Sequence, residues 1–185
     1  TARGDSLNDL QERLDQLFGF PAPAEAWEKH LLPARLAPYY SAWLDSLMQT
    51  SGLMWFGCGK QKTSFAFADD LELFLNGRDG PIEGTAAEEE LSTDRLAGLL
   101  SGRIGRYSLL EITRHAGMES GAVTEKLWKL AWQGRITNDA FATVRQGILT
   151  GFAPFPLQTP RSRSSRLGYN RWAASRPFSG NWYAI

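Results

Sequence analysis

Between Ser6 and Ala68 the spacing of apolar residues switches once from a helical to a strand-like period, and no other feature restricts the fold as much. Leu7, Leu10, Leu14, Leu17 and Phe18 share one helical face. Ser6 is placed to cap that helix, Asp9 and Glu12 favour its positive end, and Gly19 followed by Pro21 stops it. A second short helix is expected over 24–31, where Trp27 and Leu31 stand four apart, with Pro33 ending it. A third is expected over 41–49, burying Trp43 or Leu44 with Leu47 and Met48, ahead of Gly52. The period then changes: 53–56 is a short apolar run and 64–68 alternates as a half-buried strand does. Between them, residues 57–62 supply a basic turn.

Three helices followed by a hairpin is the element order of a winged-helix module, expected over residues 1–75. Residues 76–92 read as a solvated linker, with the acids Glu88, Glu89 and Glu90 ahead of a helix expected over 93–101. The helical part then repeats over 93–149. Ser108 and Glu111 have capping-box spacing, and Gly117 closes that helix. The next helix opens at Glu119 or Ser120 and runs to Gln133, before Gly134. Val123, Leu127, Leu130 and Ala131 form its core stripe, with Lys126 and Lys129 off it. Two helices joined by so short a turn, the second one basic, make a helix-turn-helix pattern. Arg135 and Ile136 suit a short strand, and Thr137, Asn138 and Asp139 suit the cap of a helix to about Gln146. Residues 150–185 read as an extended Arg/Pro/aromatic arm leading to a further domain. The expected class is therefore mainly α with small β-hairpins: tandem winged-helix modules plus a basic arm.

At 185 residues, 43% hydrophobic and 22% charged, the chain is ordinary globular protein, which excludes a disordered, collagen-like or coiled-coil whole. At roughly 150 residues per domain it holds one large domain or two small ones. No run of about 18 apolar residues is present, so no membrane span is expected. The first residues lack an apolar signal region and an initiating Met, so a piece of a longer, non-secreted protein is expected. Cys58 is the single cysteine and His30 and His115 are the only histidines. They complete neither a disulfide nor a structural zinc site, and a reducing, cytoplasmic setting is expected.

The zero net charge conceals a division. Residues 1–94 hold 7 Lys/Arg and 16 Asp/Glu, a net −9; residues 95–185 hold 13 and 4, a net +9. One end therefore attracts polyanions. The plainer alternative is that the halves attract each other within the fold. The candidate phosphate contacts among the 13 cations of the second half are Arg103, Arg106, Lys126, Lys129 and Arg135, then Arg161, Arg163, Arg166, Arg171 and Arg176 in the arm. Tyr169, Trp172, Phe178, Trp182 and Tyr183 are interleaved with the arm's arginines, as aromatics that stack on unpaired bases would be. If roughly six of the cations met phosphates, log affinity would fall with log salt at a slope of about −5. The alternative is an arm that packs on a neighbouring domain.

Other chemistry is poorly supported. Residues 57–64 lack the first Gly and the helix of a P-loop, and Gln61 stands where its hydroxyl belongs. Gly102-Arg103-Ile104-Gly105 matches a KH-type GxxG without the surrounding strands. Asp69-Asp70 and the Glu88 run read as solvated charge, His115 as structural, and Trp128 with Trp132 as packing residues. No catalytic residue and no metal ligand is assigned.

Several stretches resemble the C-terminal part of large helicase-related (Lhr) proteins. One block is Trp27-Glu28, Leu32-Pro33-Ala34-Arg35, Tyr40, Trp43-Leu44-Asp45, Leu47, Gly52 and Trp55-Phe56-Gly57. A second is Leu127-Trp128, then Trp132 to Phe141 through Gly134-Arg135-Ile136-Thr137-Asn138-Asp139, and Arg145. Gly180-Asn181-Trp182 is similar to the point where that region enters its next domain. The resemblance implies a winged-helix-bearing part of a superfamily 2, ATP-dependent DNA or RNA–DNA helicase acting in DNA repair. ATP and Mg would belong to motor domains elsewhere in the same polypeptide, and no cofactor to this chain. Single-stranded or tailed DNA, or an RNA–DNA hybrid, would be the partner. The alternative that the resemblance also implies is part of a winged-helix uracil-removing DNA glycosylase region, with no catalytic carboxylate placed on this chain; a purely structural spacer is a third reading.

Overall fold

The computed structural model describes residues 4–75, 96, 99–100, 105–153 and 180–185. In chain order the elements are α1 (Leu7–Asp15), β1 (Ala22–Pro23), α2 (Ala24–Ala26), α3 (Ser41–Thr50), β2 (Leu53–Gly57), β3 (Lys62–Phe67) and α4 (Leu71–Leu75). They continue with α5 (Leu109–Ala116), α6 (Ser120–Trp132), β4 (Ile136–Asn138), α7 (Phe141–Thr150) and β5 (Trp182–Ala184). The fold is mixed α and β, with small antiparallel sheets.

Local chemistry sets the helix starts. Ser6 sits in extended backbone; its Oγ accepts the Asp9 N–H at 3.2 Å while the Asp9 carboxylate accepts the Ser6 N–H at 3.1 Å. Ser108 and Glu111 repeat that box at the start of α5, at 3.3 and 2.8 Å. The Ser6 hydrogen bond holds the Asp9 carboxyl below the usual range, and the Ser108 hydrogen bond does the same for Glu111. The helix expected over 24–31 forms, but only Ala24–Ala26 is α-helical. From Trp27 to Leu31 the turns widen, and the Leu32 N–H reaches back five residues to the Trp27 carbonyl at 2.9 Å.

In the first half β1 pairs with β3, and β3 with β2, giving the order β1–β3–β2. In the second half Tyr107 exchanges both backbone hydrogen bonds with Trp182 of β5, at 2.9 and 2.8 Å, and β5 pairs with β4. Each half therefore has a first extended segment, then two helices, then two strands, with the last strand in the middle. The connections between those strands differ in length. Residues 58–61 join β2 to β3, whereas 139–181 separate β4 from β5 and include α7.

The halves share one core. Leu10, Trp27, Leu44, Trp55 and Phe65 from the first half and Ile112, Leu127, Phe141, Val144 and Trp182 from the second belong to a single buried cluster. Each side chain of this size adds about 1.5–3 kcal/mol when fully buried. β4 lies against β2, where the Thr137 hydroxyl donates to the Trp55 carbonyl at 2.5 Å. The β2–β3 turn reaches the end of α6, where the Gly59 N–H donates to the Trp132 carbonyl at 2.9 Å. A second, smaller cluster on the opposite sheet face contains Met54, Phe56, Ala66 and Leu71, flanked by Phe74, Tyr183 and Ile185.

Three expectations change. The helix after Asp139 runs to Thr150 rather than stopping near Gln146, so α7 crosses the boundary set at 149. Residues 180–185 do not lead away from the fold: Trp182–Ala184 returns to pair with Ile136–Asn138. Trp182, grouped with the arm's stacking aromatics, is 1% exposed and lies edge-on to Trp55 and Trp128, so it has no open face for a base. The linker 76–92, Arg103, Arg161, Arg163, Arg166, Arg171 and Arg176 lie outside the described residues. Of the helix expected over 93–101, the described Leu96, Leu99 and Leu100 are helical.

Candidate nucleic-acid interface

α5 and α6 form the helix-turn-helix that the sequence led us to expect. Gly117 ends α5 with φ +61°, a left-handed backbone that favours glycine, and its N–H closes the last turn on the Thr113 carbonyl. α6 buries Val123, Thr124, Leu127, Trp128, Leu130 and Ala131. Ala122, Glu125 and Lys129 on its other side are exposed, and Lys126 beside them is partly so. Lys126 and Lys129 are one turn apart and thus share an outward flank of the helix.

The two other described candidate cations, Arg106 and Arg135, lie beside β5. Arg106 lies over the Tyr183 ring, 4.5 Å from its centre, and 3.8 Å from the Asp139 carboxylate; its side chain is 62% exposed. Burial raises the Tyr183 hydroxyl above its ordinary pKa, Arg106 opposes that rise, and Asp139 adds to it. The Arg135 carbonyl accepts the Ile185 N–H at 3.0 Å, so Arg106 and Arg135 flank β5 from opposite sides. Of the candidate residues, Lys126 and Lys129 are therefore brought together on α6, and Arg106 and Arg135 beside β5.

The charged cluster with the most partners escaped the sequence reading. Arg145 of α7 donates through Nε and Nη2 to the Glu28 carboxylate at 2.6 and 2.8 Å, and through Nη1 to both Asp45 oxygens at 2.8 and 2.9 Å. Its Nη2 also reaches the Ser41 carbonyl at 3.2 Å. Tyr39 donates its hydroxyl to Glu28. Burial alone would lower the Arg145 pKa, but the hydrogen bonds it donates to Glu28 and Asp45 overcome that and raise it. Burial, then the Glu28 hydrogen bond, raises the Tyr39 hydroxyl. Sequence separations of 117 and 100 residues conceal this cluster from any spacing rule. A partly acidic first half and a basic second half do meet here, as the plainer reading of the charge division expects.

The same contacts explain the residues that carry the family resemblance. Glu28 and Asp45 hold Arg145. Thr137 ties β4 to β2, and Asn138 Oδ1 accepts the Ala140 N–H and the Thr143 hydroxyl at the start of α7. Asp139 accepts the backbone and side-chain N–H groups of Asn181, at 2.7 and 3.0 Å. Gly57 leaves room for α6: a Cβ there would lie 1.8 Å from the Ala131 carbonyl oxygen. These blocks join the two halves to each other.

Helix order, the β1–β3–β2 sheet and the short basic turn make residues 4–67 a winged-helix domain. Residues 2–73 match the family model for the winged-helix domain of the large helicase-related protein. Beyond that domain too, the chain is similar to large helicase-related (Lhr) proteins. It is 29% identical, over 97% of its length, to a Mycolicibacterium smegmatis protein named Lhr helicase/probable uracil glycosylase. It is 27% identical, over 89% of its length, to an Escherichia coli K12 protein named Lhr helicase/uracil glycosylase. The chain spans only 12% and 11% of the lengths of those relatives. Among the described residues, no helix is long and apolar enough to cross a membrane, and no cluster of metal-binding side chains occurs.

Proposed function

We propose that this chain is a nucleic-acid-binding, non-motor part of an Lhr-type ATP-dependent helicase that works in DNA repair in the cytoplasm. Residues 105–150 with β5 act as a second winged-helix module, and α6 with the cations beside β5 meets single-stranded or tailed DNA, or an RNA–DNA hybrid. ATP and Mg serve motor domains of the same polypeptide. The observation that carries this reading is the contrast between the two second helices of the helix pairs. α3 contains no Lys or Arg, and α7 grips its Asp45 through Arg145, whereas α6 keeps an exposed Lys129 with Lys126 one turn away. A flank of that kind meets phosphates irrespective of sequence.

Fluorescence anisotropy of the 185-residue chain with a tailed DNA, across a salt series, tests this reading. Binding that weakens steeply with salt is expected; no binding at low salt, or binding insensitive to salt, contradicts it. The names of both relatives favour a second reading, part of a uracil-removing glycosylase. Abasic sites appearing in uracil-containing DNA incubated with the chain would establish that one instead.

A further inference from the structure

A cleft of about 310 Å³ lies between the β2–β3 turn and the end of α7. Its two walls are built differently. On the turn side stand Lys60, Gln61 and Lys62, all exposed at the surface. Their backbone is held on three sides. The Gln61 carbonyl accepts the Ala24 N–H at 2.8 Å, the Lys62 carbonyl accepts the Cys58 N–H at 2.8 Å, and the Gly59 N–H donates to Trp132. On the α7 side stand Ile148 and Phe152. The Phe152 N–H turns back to the Gly147 carbonyl at 2.7 Å, and its ring is wedged edge-on against Trp128 and Trp132, at 4.8 and 4.9 Å.

Backbone strain marks this place. Among the described residues, the non-glycine residues with positive φ are Gln61, at 57°, and Phe152, at 59°, and both line the cleft. A bulky residue in left-handed backbone is uncommon and persists only when its surroundings hold it there. Here the fold holds one strained residue on each side of the same opening. The charge is lopsided too: Lys60 and Lys62 face a single carboxylate, Glu25, at the rim.

Two ammonium groups on a fixed turn opposite an apolar, aromatic wall suit a ligand with a phosphate at one end and a flat ring at the other. The volume, near the small end for ligand sites, suits one nucleotide and is far too narrow for a duplex. We infer that the cleft between the β2–β3 turn and α7 holds one nucleotide of an unpaired nucleic-acid strand, with Lys60 and Lys62 on its phosphates and Phe152 and Ile148 against its base. This inference rests on the nucleic-acid-binding reading and gives it a second contact, between the β2–β3 turn and α7.

The test uses the full chain and a fluorescent oligothymidylate of about 12 nucleotides carrying one photoreactive 4-thiothymidine. Lys60→Ala with Lys62→Ala, both exposed, is compared with Lys126→Ala with Lys129→Ala. The cleft predicts crosslinks within residues 58–62 or 148–152, and about fivefold weaker binding of the Lys60/Lys62 variant. Its salt slope should be shallower by about 1.4, as expected for two lost single-strand phosphate contacts. Wild-type affinity in the Lys60/Lys62 variant, with crosslinks confined to α6, overturns the cleft and leaves the broader reading standing. Absence of binding to any strand overturns both. Displacement of the oligomer by sub-millimolar thymidine monophosphate would make the cleft a free-nucleotide site and overturn the strand assignment.

Discussion

The two halves use the same strand order with opposite outcomes for their second helix. In the first half the strand connection is four residues, and its turn is tied by Gly59 to the end of α6. In the second, the connection spans 139–181, and its α7 lies across α2 and α3 with Arg145 between Glu28 and Asp45. Each half thus sends its strand connection to the other. The exchange ties up a flank of α3, which has no Lys or Arg, while α6 packs through its buried stripe against α5, β2 and β4 and leaves Lys129 exposed on its other side. The lengths of the connections and the placement of a few charges therefore make the surroundings of the two helices differ.

Removing the grip of α7 on α3 is the strongest way to break this arrangement. Arg145→Ala leaves Glu28 and Asp45 facing each other without their cation. Loss of a fully buried pair member costs about 3–5 kcal/mol, and the partial exposure of these side chains reduces that to about 2–3 kcal/mol. Urea unfolding monitored by tryptophan fluorescence reads the loss. Arg145→Lys should recover only part of it, because an ammonium cannot make both forked contacts. A change under 0.5 kcal/mol, on the order expected for an ordinary surface site, would remove the clamp from the account.

The opposite connection is tested at Gly57. A methyl there meets the Ala131 carbonyl at 1.8 Å and the Trp132 Cα at 2.8 Å, so Gly57→Ala should force the turn away from α6 at a cost of about 2 kcal/mol. Wild-type stability would mean that the turn and α6 are not pressed together. The smallest effect concerns the two matching helix caps. Asp9 and Glu111 are held below their ordinary pKa, so their contribution is present above the unfolded-state values and is lost as pH falls from those values through the lowered folded-state ones. Ser6→Ala and Ser108→Ala should each flatten that acid limb of stability. The two should do so to a similar small extent, since the caps are alike. A variant whose acid limb is as steep as wild type would show that its box adds nothing.

Much of this fold was legible in the sequence because it is local. The Ser6 and Ser108 caps, the Gly117 stop, the α6 stripe and the hairpin over 53–67 all follow from spacings of a few residues. The wider turns at 27–31 did not follow, because nothing in the spacing of Trp27 and Leu31 separates i+4 from i+5 bonding. Arg145 and its two acids are brought together only by packing of the halves. The aromatic pattern around Trp182 misled for a related reason: aromatics interleaved with arginines look alike whether they stack on bases or close a core. The strand pairing of Trp182–Ala184 with β4 decides for the core. The cleft beside Phe152 was likewise hidden, since a single phenylalanine after a helix gives no sign of positive φ.

The most direct measurement is the salt dependence of strand binding by three forms of the chain: wild type, Lys126→Ala with Lys129→Ala, and a control changed on the exposed side of α3, Gln49→Ala. The account predicts that the α6 variant binds at least severalfold more weakly and loses about 1.4 from its salt slope, whereas the α3 control matches wild type. Equal affinity and slope in the α6 variant, or a loss confined to the α3 control, would contradict it.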